Sequence, residues 1–318
     1  MERIKNFLTI LGLVCLWSCQ KSTITPEKFV VQKIAPEYVT LYDIAVGANS
    51  EIIVVGGDSW YQGLVVEREE PDGDWSIKEM GNKAILSITY DSIKKRFVAA
   101  GIDGHIFIRE NSQNWQFVRT TNWDVIHGIK PYDGRYVGVG GGGFGYGNFF
   151  NFDLEANVVS AQLFPRELRD IHVFNDGQML ACGFSDILKC NGTTEYTWQY
   201  QQQNYNYFSS LSFSNDSLGF VSSFNGKLFK TTNRGENWSE VKTIGNISES
   251  RESFNDVFVQ PPYLIVVGDG GLIRLSKDDG ETWDHINTGL NIDFQSVMIY
   301  NKKALMVGSQ GFLVSFGL

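Results

Sequence analysis

Thr231-Thr232-Asn233-Arg234-Gly235-Glu236-Asn237-Trp238 and Ser276-Lys277-Asp278-Asp279-Gly280-Glu281-Thr282-Trp283 carry one signature, S/T-x-D/N-x-G-x-T/N-W. Its physics is local. The Asn233 or Asp278 side chain caps a tight turn, Gly235 or Gly280 takes the left-handed position, and Trp238 or Trp283 packs beneath. With the Trp as a ruler, weaker copies emerge at Trp75 after Asp72-Gly73-Asp74, Trp115 after Asn111 to Asn114, and Trp198 after Asn191-Gly192. The steps from Trp75 to Trp115, Trp198 to Trp238 and Trp238 to Trp283 are 40, 40 and 45 residues, and Trp115 to Trp198 is 83, two periods.

A second marker runs in phase, a polar residue expected to open the first strand of each unit: Asp43, Ser87, His127, Asp170, Ser210, Asp256 and Ser296. Second strands follow over 52–56, 96–101, 135–140, 179–183, 219–223, 264–268 and 304–308, each ending at a small residue, and third strands over 227–231 and 272–276. Four short strands per 40–45 residues is the period of a propeller blade. The last unit runs out after three strands, and Phe29 to Ile34 is a strand-like run that can supply the fourth. The expected fold is therefore all-β, a seven-bladed β-propeller of four-stranded antiparallel blades in one domain over 29–318. Pairing of the N- and C-terminal strands would close it and protect its edges.

The signature is that of the Asp-box, or bacterial neuraminidase (BNR), repeat. Residues 29–318 resemble the photosystem II stability and assembly factor-like family of WD40/YVTN/BNR-like propellers, with sialidases and sortilin-type propellers more distant. The two boxes and Val266-Val267-Gly268-Asp269-Gly270-Gly271 carry the likeness. It implies a propeller and an assembly or protein-binding role. The fold hosts many activities, so function must be argued from the site, and nothing in these residues implies photosynthesis.

The N-terminus reads as an address. Arg3 and Lys5 precede an apolar run from Phe7 to Trp17, too short to span a bilayer and right for a secretory signal. Leu16-Trp17-Ser18-Cys19 resembles a bacterial lipobox, although Trp17 is bulkier than the usual residue there. Residues 1–18 are thus expected to be a lipoprotein signal peptide, Cys19 the lipidated residue, and 19–28 a lipidated tether. The expected location is the cell envelope, on the outer membrane facing the periplasm, because no acidic run follows Cys19. Cys182 and Cys190 remain; a disulfide between them is open, but the expected register does not set them opposite each other.

The chain has 318 residues, 42% hydrophobic, with a net charge of −9, which supplies ample core and argues against a nucleic-acid partner. Gly138 to Gly143 holds a G-x-G-x-x-G match, but no helix or βαβ unit follows, so no dinucleotide cofactor is expected. Sialidase chemistry needs an arginine cluster, an acid/base Asp and a Tyr–Glu pair, and Arg135, Arg169, Arg251 and Arg274 lack the Arg-Ile-Pro setting of that family. His105, His127, His172 and His285 show no metal spacing. No catalytic residue, metal or cofactor is assigned.

The polar markers would circle one mouth of the central channel, where they tie blades together or line a ligand funnel. That face should also carry Asp58, Trp60, Tyr61, Phe144, Tyr146, Phe184, Phe224 and Asp269 among glycine-rich turns. The candidate binding face is Asp43, Trp60, Tyr61, His127, Phe144, Tyr146, Arg169, Asp170, Asp256 and Asp269. The reading is a monomeric, non-enzymatic, lipid-anchored propeller that binds a protein or peptide partner. The alternative is a glycan-binding or sialidase-like propeller, favoured if the aromatic turns converge with Arg169 and Asp170.

Overall fold

The structure, a computed structural model, describes residues 23–24, 29–71, 73–110, 114–121, 123–142, 145–153, 157–190, 196–242 and 252–318. Residues 1–18, expected to be a signal peptide, lie outside them, as do Cys19 and Phe144. Apart from short 3-10 turns, the regular elements described are strands, and no helix among the described residues is long and apolar enough to cross a membrane.

β-branched and aromatic residues in runs of four to seven build antiparallel sheets whose second strands are buried on both faces, as in Ile52–Asp58 and Arg96–Gly101. The innermost strands pack one on the next in chain order: Thr40–Val46, Ile85–Asp91, Ile126–Tyr132, Leu168–Val173, the second half of Trp198–Phe213, Phe254–Gln260 and Phe294–Tyr300. The last then packs on the first, so the ring is closed. Phe29–Lys33 completes the final sheet by pairing antiparallel with Phe312–Gly317. One sheet gains a fifth, parallel strand, Thr23–Ile24, along its outer edge at Asp284–Ile286.

The expectation of seven separate four-stranded blades is corrected. Among the described residues, five sheets stand apart as blades, while the units expected over 168–241 share one six-stranded sheet. The cause is continuity of the chain. Trp198–Phe213 is one strand that pairs with Met179–Cys190 through its first part and, after a register shift, with Gly219–Ser223 through its second. The two halves of this sheet still pack face to face, with Leu180, Cys182 and Ile187 against Phe208, Leu211, Val221 and Phe229.

The core lies between successive sheets. Ile53, Val55 and Val65 meet Ile85, Phe97 and Phe107, for example, and each such fully buried side chain contributes about 1.5–3 kcal/mol. Trp75, Trp115, Trp198, Trp238 and Trp283 all pack against these interfaces. At the turns before Trp238 and Trp283, the Thr231 and Ser276 hydroxyls each accept from a glycine N–H at 2.9 Å, Gly235 and Gly280. Asn233 and Asp278 accept from the N–H of residues 237 and 282, while both glycines have positive φ, 77° and 89°. Cys182 and Cys190 are buried in different interfaces, and no disulfide joins them.

Candidate functional site

Each innermost strand starts with a β-bulge, and the bulges build one mouth of the channel. The register slips between Leu41 and Asp43, Ile85 and Ser87, Ile126 and Gly128, Leu168 and Asp170, Phe208 and Ser210, Phe254 and Asp256, and Phe294 and Ser296. The bulged residues are therefore Tyr42, Leu86, His127, Arg169, Ser209, Asn255 and Gln295. All of them line a cavity of about 700 Å³. A repeated close approach fixes this geometry. A Cβ on Gly56, Gly101, Gly140, Gly183, Gly268 or Gly308 would come within 1.8–2.3 Å of a carbonyl oxygen at or just before the start of the innermost strand of its own sheet.

Two sequence expectations are corrected here. The Asp and Ser markers do not open their strands; they follow the bulge. His127 is not the third unit's counterpart of Asp43, because Gly128 holds that position and His127 is the bulged residue. A Cβ at 128 would lie 3.1 Å from Asp170 Cα and 3.2 Å from its Oδ1, so a side chain there would push the neighbouring strand by a few tenths of an ångström.

The carboxylates bridge sheets. Asp43 accepts from the N–H of its own strand at Ile44 and of the next at Ile88, both at 2.8 Å, and from the Ser87 and Ser296 hydroxyls. Asp170 accepts from the Ile171 and Leu211 N–H groups, and Asp256 from the Val257 and Val297 N–H groups and the Ser210 hydroxyl, the last at 2.5 Å. Desolvation raises the Asp43 carboxyl above the usual range and, with Asp43 and Asp170 adding negative charge nearby, pushes Asp256 up to about 7.

Beside them, the buried Glu167 carboxylate takes His127 Nε2 at 2.5 Å and Arg169 at 3.2 Å. Burial lowers the His127 pKa, which favours the neutral ring at pH 7. Arg169 also lies 5.6 Å from the Phe224 ring centroid, and Lys83 lies 4.6 Å from that of Trp60. Trp60, Phe224, Arg169, Asp170, Asp43 and Asp256 thus share the cavity wall. Tyr61 is 79% exposed, and neither it nor Tyr146 nor Asp269 contributes to that wall. Tyr146 covers Gly142 and donates to Asp124 at 2.6 Å; Asp269 accepts from Asn255 at 2.7 Å.

Among the described residues, Arg169 is the only arginine of the cavity wall. Arg274 is held by Glu252, and Arg251 lies outside the described residues. His172 is sandwiched between Phe174 and Phe213 with its pKa lowered to about 4, chiefly by burial, and His105 stacks edge-on to Phe107 and Phe117. Tyr42, Ser209, Asn255 and Gln295 were not singled out by sequence reasoning. Their signal was the residue immediately before each polar marker.

No family model matches the chain, and no curated protein does. Solved structures match in shape. YCF48 bound to D1 peptide superposes with a TM-score of 0.70 at 13% identity, covering 93% of this chain and 99% of that one. The chain is a β-propeller. A catalytically inactive variant of virginiamycin B lyase from Staphylococcus aureus, with quinupristin, gives 0.75 at 11% identity over 92% and 100% of the two chains. The WD40 β-propeller domain of Doa1 gives 0.66 at 15% over 91% and 97%. At these identities the propeller fold is what the chains share.

Proposed function

We propose that this chain is a lipid-anchored propeller of the cell envelope that binds a protein or peptide partner at the bulge-lined channel mouth, in an assembly or scaffold role and without catalysing a reaction. The observation that carries the reading is the composition of that mouth. A cavity of about 700 Å³ joins Trp60 and Phe224 to hydrogen-bonding groups on Arg169, Ser209, Asn255 and Gln295, a mixture suited to side chains and backbone alike. A propeller of the same shape carries a bound peptide, which supports this use of the fold. The Asp-box turns serve as structural pins in this account, and Cys19 carries the anchor. We further infer that the six-stranded sheet acts as two units of the ring, since its halves pack face to face like neighbouring blades.

A glycan-binding reading is favoured by one observation, the convergence of Trp60, Phe224, Arg169 and Asp170 on one wall. In-cell crosslinking and pull-down of the tagged protein separates the two. A protein captured by the wild type and lost in a Trp60→Ala/Tyr61→Ala/Tyr146→Ala variant supports the first reading. No enrichment over a control lipoprotein, together with retention of a sugar on a glycan array, supports the second.

A further inference from the structure

His127 and Arg169 are tied to one atom. Oε1 of the buried Glu167 takes His127 Nε2 at 2.5 Å and Arg169 Nη2 at 3.2 Å, and all three residues line the mouth cavity. A carboxylate oxygen only accepts, so the proton in the short contact sits on Nε2. The Arg169 guanidinium already balances this carboxylate, which leaves a second positive charge on the ring poorly compensated, and burial acts in the same direction. The ring is then neutral. Its Nδ1 has no hydrogen-bond partner among the described residues and is an acceptor open to the cavity. Arg169, with one nitrogen held by Glu167 and 31% of its side chain exposed, keeps further N–H donors for the same space.

An acceptor and a donor fixed side by side select the group that can answer both. A carboxylate answers Arg169 but meets a lone pair at Nδ1, and Asp43, Asp170 and Asp256 line the cavity with it. An ammonium answers Nδ1 but meets the guanidinium. A trans peptide group carries its N–H and C=O on opposite sides, and so does the acetamido group of a sugar. A primary carboxamide presents an N–H and its C=O along one edge. Phe224, whose ring centroid lies 5.6 Å from Arg169, and Trp60 supply apolar wall for the methylene stem of such a side chain. We propose that His127 and Arg169 recognise the side-chain carboxamide of an asparagine or glutamine that the protein partner inserts into the mouth, His127 Nδ1 accepting from its NH2 and Arg169 donating to its carbonyl. This rests on the reading of the mouth as the site of a protein or peptide partner.

The test is a fluorine NMR titration of the full chain, in detergent at pH 7.5, with four probes that share one ring: 4-fluorobenzamide, 4-fluoro-N-methylbenzamide, 4-fluorobenzoate and 4-fluorobenzylamine. The primary amide should bind about tenfold more tightly than each of the others, because each of those leaves His127 or Arg169 unanswered. Equal affinities, tighter binding of any of the other three, or no binding of the primary amide at about 10 mM overturns the proposal. His127→Phe and Arg169→Met, each checked for an unchanged melting temperature, should abolish the preference; a preference kept in a folded variant overturns the assignment of that residue, and the wild-type series stands without either. Acetyl-Ala-Gln-Ala-N-methylamide should displace the primary amide, and equal displacement by its Glu counterpart refutes a side-chain carboxamide as the group recognised. Pull-down with His127→Phe separates this inference from the reading beneath it. A partner captured by the wild type and by His127→Phe alike, but lost in the Trp60→Ala/Tyr61→Ala/Tyr146→Ala variant, refutes the carboxamide and leaves the protein-binding mouth standing. No partner captured by the wild type refutes both.

Discussion

Replacing Asp256 by Asn should remove a pH dependence that the channel mouth builds into folding. The Asp256 carboxylate is enclosed beside Asp43 and Asp170, and its pKa is pushed up to about 7 from an ordinary value of 3.8, first by desolvation and further by those two charges. An acid whose folded pKa lies above its unfolded one keeps its proton in the folded chain after the unfolded chain has lost it. The unfolded state then binds fewer protons, and stability falls as pH rises. The contribution is fully present below pH 3.8 and is lost as pH climbs through about 7. At 1.36 kcal/mol per pKa unit the span is worth about 4 kcal/mol at most. Asn keeps the Oδ1 bonds to Ser210 and Val257 and puts an amide against the Val297 N–H, a fixed cost of about 1–3 kcal/mol that does not titrate. The assay is urea unfolding followed by tryptophan fluorescence from pH 4 to 8.5, with wild type and variant in parallel. His127 and His172 have lowered pKa values and act in the opposite direction, losing stability as pH falls through the range below 6.5, but they are common to both proteins and cancel in the difference. Stability of the wild type relative to the variant should fall by several kcal/mol from pH 4 to 8. A difference that stays constant across this range would refute the account of Asp256 as a desolvated acid.

Three further outcomes follow from the same geometry. Gly140→Ala places a Cβ 1.8 Å from the Val125 carbonyl and should lower the thermal midpoint by the equivalent of about 3 kcal/mol or more, whereas Gly317→Ala, with nothing within 4 Å, should leave it unchanged in calorimetry; equal effects would show that the close approach does not matter. Ser276→Ala removes the acceptor of the Gly280 N–H and should cost about 1 kcal/mol in chemical unfolding, with Trp283 fluorescence reporting a loosened turn. Trp60→Ala, at a half-exposed ring over Lys83, should weaken capture of the partner at least tenfold in a titration while the melting temperature moves by less than a degree or two. Retained affinity would remove Trp60 from the binding surface.

The sequence by itself determined the repeat. Glycine at the end of a second strand, a Trp after a capped turn and alternating β-branched residues are local necessities, and they placed Arg96–Gly101 and Gly219–Ser223 at their observed bounds. It also marked the run from Phe29 to Ile34 as the missing partner of the last sheet, because an edge of unpaired N–H and C=O groups needs a strand, and Phe29–Lys33 is the strand found there. Only the tertiary structure decided the site. A bulge adds one residue without disturbing the alternation on either side, so the pattern that revealed the strands could not say whether position 127 or 128 falls in line with Asp43. The convergence of His127 and Arg169 on the buried Glu167, and of Trp60 and Phe224 on one cavity, depends on how far each sheet is turned about the channel axis. The joining of the units over 168–241 into one sheet was equally hidden, since it turns on one strand, Trp198–Phe213, running on from its pairing with Met179–Cys190 to its pairing with Gly219–Ser223, to which side-chain periodicity is blind.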